Sequence, residues 1–109
     1  MRLFITKRKL VKKFAEELAY LQIRADWWYY VSNCKDEEKQ DMSSHMLDGV
    51  TELRCICHEL GILKEVYNKA YEIYDFRNSG KKDFVPDVEL IKKLDREFCE
   101  PRKKSRPFM

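Results

Sequence analysis

An all-α domain is what this sequence predicts, on three observations. Glycine and proline are few, three of each in 109 residues, so long stretches run without a breaker. Apolar residues recur at alternating steps of three and four, the spacing of one helical face. A composition of 44% hydrophobic and 13% aromatic residues supplies a core, while 38% charged residues of both signs supply a solvated surface. The expected architecture is a long antiparallel helical hairpin with two shorter helices packed on it, close to a four-helix bundle. It should form one domain over residues 1–100, followed by a basic mobile tail over 101–109.

Helix one should begin at Thr6, a good N-cap type, and run to about Ser32. Val11, Phe14, Leu18, Leu21, Ala25 and Trp28 form its seam, as in a coiled coil. Helix two should run from about Glu37 to Leu60, with Met42, Met46, Val50, Leu53, Cys57 and Leu60 inward. Gly49 lies beside that seam, where a missing side chain would let another helix come close. The short polar link "NCKDEE" between the two makes them an antiparallel pair, and its acids favour the N-terminus of helix two. Gly61 should end helix two as a left-handed residue, with Ile62 folding back. Helix three is expected from Leu63 to Arg77, with Leu63, Val66, Ala70 and Ile73 inward and Tyr67, Tyr71 and Tyr74 widening the apolar side. "NSGKKD" reads as a loop. Pro86 and Asp87 should open helix four, burying Leu90, Ile91, Leu94 and Phe98, and Pro101 should stop it.

The net charge of +3 hides a segregation. Residues 1–13 carry Arg2, Lys7, Arg8, Lys9, Lys12 and Lys13 and no acid, hence +6. Residues 35–60 carry three cations against seven carboxylates, hence −4, and residues 100–109 carry four against one, hence +3. Acidic and basic segments can complement one another within the fold or in a dimer. Alternatively, the basic ends, represented by Lys7, Arg8, Lys12, Lys13, Arg102, Lys103 and Lys104, touch nucleic acid. No apolar run approaches the roughly 20 residues of a membrane span. In "MRLFITKRKL" the basic run follows the apolar patch, the reverse of a secretory signal. A cytoplasmic protein with reduced thiols is therefore expected.

"CICHELGIL" is the stretch that most resembles chemistry. On one rigid helix Cys55 and Cys57 point about 200° apart and cannot share a ligand. Cys55 and His58 can meet, but a structural zinc wants four ligands, and no CxxC or HxxxH spacing is present. Cys57 falls in the core seam, where a free thiol behaves as a small apolar group. No metal or other cofactor is expected. No enzyme is expected either: Gly49, Gly61 and Gly80 are isolated, so there is no phosphate loop, and the carboxylates fall on solvated faces or loops. A helix ending in "HELGI" and followed at once by another resembles the middle of a helix-turn-helix. Cys57, Leu60, Ile62, Tyr67 and Ala70 fit that pattern. Leu63 at the start of the second helix does not, nor does an outward face (Lys64, Glu65, Asn68, Lys69, Glu72 and Asp75) that is not basic.

"RADWWYYVSNC" carries a second apolar stripe opposite the seam: Tyr20, Ile23, Trp27, Tyr30, Val31 and Cys34. A helix apolar nearly all round must be covered on both sides. Either helices three and four cover the second stripe, or a partner chain does. The reading adopted from sequence is a protein interface at Tyr20, Ile23, Trp27, Tyr30 and Val31, since Trp and Tyr dominate binding hot spots, with a homodimer its simplest form.

In size, basic start and lack of a catalytic motif, the chain resembles the small helical accessory proteins of bacterial phages and other mobile elements. The resemblance implies a non-catalytic protein-binding protein that occupies a surface of a host protein or complex, an inhibitor of a defence system being one form of it. The alternative is a small helix-turn-helix regulator that binds DNA.

Overall fold

The structure is a computed structural model that describes residues 6–104, with side chains described through Arg102. Its elements are α1 (Lys7–Asp26), α2 (Asp36–Glu59), α3 (Leu63–Ile73), α4 (Val88–Leu94) and α5 (Glu100–Lys104). A π-helical turn over Trp27–Val31 extends α1, and another over Asp95–Cys99 joins α4 to α5, so the C-terminal helix is continuous from Val88 to Lys104. Among the described residues there is no strand. The chain is all-α, as its sequence predicts.

The caps sit where residue types place them. Thr6 Oγ1 accepts from the Lys9 backbone N–H at 3.2 Å, and Asp87 Oδ1 from that of Leu90 at 3.1 Å. At the end of α2 the Gly61 N–H reaches the His58 carbonyl and the Ile62 N–H reaches that of Cys57, both at 3.0 Å. With Gly61 at φ +72° this is the two-bond Schellman closure, which satisfies carbonyls the helix leaves open.

α1 is the central element, packed against α2, α3 and the C-terminal helix. α2 returns antiparallel to it. An added Cβ on Gly49 would stand 3.0 Å from Leu21 Cδ1, so the close approach expected there is present. α3 runs alongside α1 in the same direction, since Glu65 lies near Lys7 and Tyr74 near Asp26. The C-terminal helix runs back along a third side: Asp95 meets Arg24 and Arg102 meets Glu17, while Phe84 of the loop before it meets Tyr30. Leu18, Ile23, Val66, Cys57, Ile91 and Cys99 are the largest fully buried side chains. Burial of an aliphatic side chain of this kind contributes about 1.5–3 kcal/mol.

Two boundaries differ from expectation. α3 ends at Ile73, four residues before Arg77, because Tyr74 turns extended (φ −151°, ψ 116°) and sends its hydroxyl to a distant carboxylate on α1. Pro101 does not stop the last helix. The Glu100 N–H bonds to the Asp95 carbonyl in the wider π spacing, so the i→i−4 ladder is already interrupted where Pro101, which has no N–H to give it, enters the helix. Of the tail expected over 101–109, residues 101–104 are helical, and 105–109 lie outside the described residues.

Candidate functional site

The second apolar stripe of α1 is covered by the chain itself. Ile23 has 0% exposure and belongs to the core. Tyr20, Trp27, Tyr30 and Val31 are partly buried and packed against that core. Arg24 forms a buried ion pair with Asp95, Nη1 to Oδ1 at 2.6 Å, and its guanidinium lies 4.7 Å from the centre of the Trp27 ring. Tyr20 lies under the Arg102 guanidinium, and Tyr30 tilts against Phe84 with centroids 5.6 Å apart. The stripe expected to be an interface is therefore, in large part, the seat of the C-terminal helix. Two shorter elements suffice because the helix runs on past Pro101.

Tyr29, not singled out from sequence as an interface residue, is the exposed aromatic among the described residues, at 48% exposure. It lines a cleft of about 610 Å3 between the end of α1, the first half of α2 and the loop over residues 77–84. Leu47, at 40% exposure, faces it from α2, with Gln40, Ser43 and Ser44 beside it. Lys81, Lys82 and Phe84 come from the loop.

The cleft wall hides a polar cluster. Asp26 is buried, and both its oxygens accept hydrogen bonds. Gln22 Nε2 donates to Oδ1 at 3.1 Å, while Tyr74 Oη and Ser79 Oγ donate to Oδ2 at 2.5 and 2.8 Å. Gln22 and Asp26 are one helical turn apart, so α1 places them together. Tyr74 brings in the end of α3 and Ser79 brings in the loop. Burial pushes the Asp26 carboxyl above its ordinary value, and the three donors pull it partly back. Burial also raises the Tyr74 hydroxyl, as does its bond to Asp26. Tyr30 is raised by burial and then by the charge of Asp26, opposed by a backbone hydrogen bond with Gly80. This cluster fixes the loop against α1 and so shapes the cleft. The signal in the sequence is slight: two polar residues at i and i+4 inside a helix apolar all round, a placement that requires partners.

The cysteine stretch divides as its helical phase dictates. Cys57 is 1% exposed in the core, where burial raises its thiol, whereas Cys55 and His58 are exposed. Among the described residues no group of three His, Cys, Asp or Glu is placed to hold a metal ion.

Of the residues proposed to touch nucleic acid, Lys7, Arg8, Lys12 and Lys13 are exposed on α1, and Lys7 Nζ lies 3.8 Å from Glu65 Oε1. Arg102 is committed elsewhere, to Glu17 and to the Tyr20 and Phe98 rings. The backbone of Lys103 and Lys104 lies in α5, and their side chains fall outside the described residues. Among the described residues no helix is long and apolar enough to cross a membrane. Comparison with protein-family models, with curated proteins and with solved structures finds no match for this chain.

Proposed function

We propose that this chain is a non-catalytic protein-binding protein, acting by occupying a surface of another protein through the cleft at Tyr29. One observation carries the reading. Tyr29 and Leu47, from two different helices, line one cleft and stay exposed, while Trp27 and Tyr30 near Tyr29 are partly buried against the core. A half-open tyrosine beside amide and hydroxyl groups is a composition suited to recognition. Asp26, the carboxylate nearest the cleft, has both oxygens engaged by donors, which supports a structural role over that of a base. An accessory protein of a phage or mobile element that inhibits a host complex is the finer form of this proposal. A second copy of the chain is its simplest alternative partner.

The DNA-regulator reading has less support. On the outer face of α3, Lys69 pairs with Glu72 at 3.8 Å and Glu65 with Lys7, so that face offers little net positive charge to phosphates. The test is capture of partners from cells of the source organism with wild-type, Tyr29→Ala and Leu47→Glu baits. A protein lost with both variants, at unchanged melting temperature, supports the reading. Recovery of DNA alone turns the choice to the regulator, and identical captures by all three baits remove the cleft from consideration.

A further inference from the structure

The cleft at Tyr29 continues past Leu47. Gln22, Leu47 and Ser79 line both it and a second hollow of about 430 Å3 that ends at Arg54 and Arg77. Together the two make one groove along α2. From Gln40 to Arg54 it spans about 21 Å at 1.5 Å per residue, the reach of about six residues of extended chain.

The charges along this groove are sorted. The α2 residues that line it, Gln40, Ser43, Ser44, Leu47, Val50, Thr51 and Arg54, share one face of the helix and include no carboxylate. The acids Asp41, Asp48, Glu52 and Glu59 fall on a neighbouring stripe, about 100° round the helix. Arg54 closes one end of the groove, and Lys81 and Lys82 close the other. Arg77 is held by Asp75 through two hydrogen bonds, at 2.9 and 2.6 Å, and adds little net charge. The Asp26 carboxylate lies in the wall, turned to its three donors. The middle of the groove is Leu47, with cations at both ends.

We infer that this groove takes an extended acidic segment of the partner protein, with an apolar side chain on Leu47 and carboxylates at its two ends on Arg54 and on Lys81 and Lys82. The inference rests on the protein-binding reading above and names the chemistry of the partner. A single-stranded nucleic acid fits less well. It would need a run of open aromatic faces along the groove, but beyond the exposed Tyr29 the tyrosines Tyr67 and Tyr71 pack against Phe76, with centroids 6.1 and 4.9 Å away.

The test uses the full chain and a fluorescent hexapeptide with glutamates at both ends and leucine in the middle. Its controls are the same peptide with glutamine for every glutamate and a short oligo(dT). Anisotropy should show the acidic peptide binding about tenfold or more tightly than the glutamine form, and weakening as salt rises. Arg54→Ala combined with Lys82→Ala should cost that preference without lowering the melting temperature, since both side chains are exposed. Equal binding of the two peptides, tighter binding of oligo(dT), or no acidic-peptide binding at millimolar concentration would each overturn the inference. So would self-association abolished by the double variant, which makes a second copy the occupant. A cellular partner lost with Tyr29→Ala but kept by the double variant leaves the binding reading standing and overturns the acidic segment alone.

Discussion

Asp26 shows how much one buried acid can organise. Its three donors come from its own helix, from the end of α3 and from the loop after it. Asp26→Ala leaves Gln22, Tyr74 and Ser79 without their acceptor. Unsatisfied buried groups cost about 1–3 kcal/mol each, and with partial rehydration at the cleft a total loss of about 2–4 kcal/mol is expected in chemical denaturation. Asp26→Asn should be milder, because a turned Gln22 amide can accept from the new NH2 group. The pH dependence separates the variants further. The folded carboxyl titrates above its ordinary value, so the stability it contributes is full below the unfolded value of 3.8 and is lost as pH rises through the folded one. Wild type should therefore lose ground to Asp26→Asn as pH rises from about 4. A constant difference between their melting temperatures across pH 4–7 would show that Asp26 is ionised alike in both states. The sequence offers almost none of this. Tyr74 reads there as one more apolar position on helix three, since spacing shows which face a residue shares but not which distant group it meets.

At the scale of elements, local chemistry was legible and long-range competition was not. Thr6, Gly61 and Asp87 cap where their types predict, and Gly49 marks the close approach of α2 to α1. The end of α3 and the passage through Pro101 were not legible, because each is decided by packing against α1. Gly61 makes the local case testable. No atom lies within 4 Å of an added Cβ, so Gly61→Ala tests the backbone alone. A left-handed alanine costs about 1–2 kcal/mol, seen as an equal loss in denaturant unfolding. A loss near zero would mean that the closure relaxes at no cost. Arg24 and Asp95 test the long-range case, tying α1 to the C-terminal helix with side chains only 8% and 11% exposed. Asp95→Ala strands a buried guanidinium and should cost about 3–5 kcal/mol. Replacing the pair together, Arg24→Met with Asp95→Leu, should recover most of that loss. A double variant as unstable as the single would mean that the loss does not come from a stranded buried charge.

The whole molecule is a central helix enclosed on three sides, and this enclosure divides the aromatic stretch into core and surface. From sequence the stretch is a continuous apolar surface, and hydrophobic periodicity alone is silent on whether its cover is this chain or another. The answer depends on the length of the C-terminal helix, which Pro101 disguises. Two substitutions separate the parts. Trp27 is packed against Arg24 and, edge-on at 5.2 Å, against Trp28, beneath the C-terminal helix. Full burial of a tryptophan makes truncation cost about 3–5 kcal/mol, and this ring is only partly buried, so Trp27→Ala should cost about 2–3 kcal/mol and melt well below wild type. Tyr29 is half open, and Tyr29→Ala should cost under about 1 kcal/mol of stability. Binding should follow the opposite order. The tyrosine truncation should weaken capture of a partner by about 2 kcal/mol or more, whereas folded Trp27→Ala should retain it. Melting curves set beside partner affinity for the two variants measure both orders at once. If Trp27→Ala melts like wild type and loses the partner, then the C-terminal helix does not hold its place in solution, and the second stripe of α1 returns as the binding face.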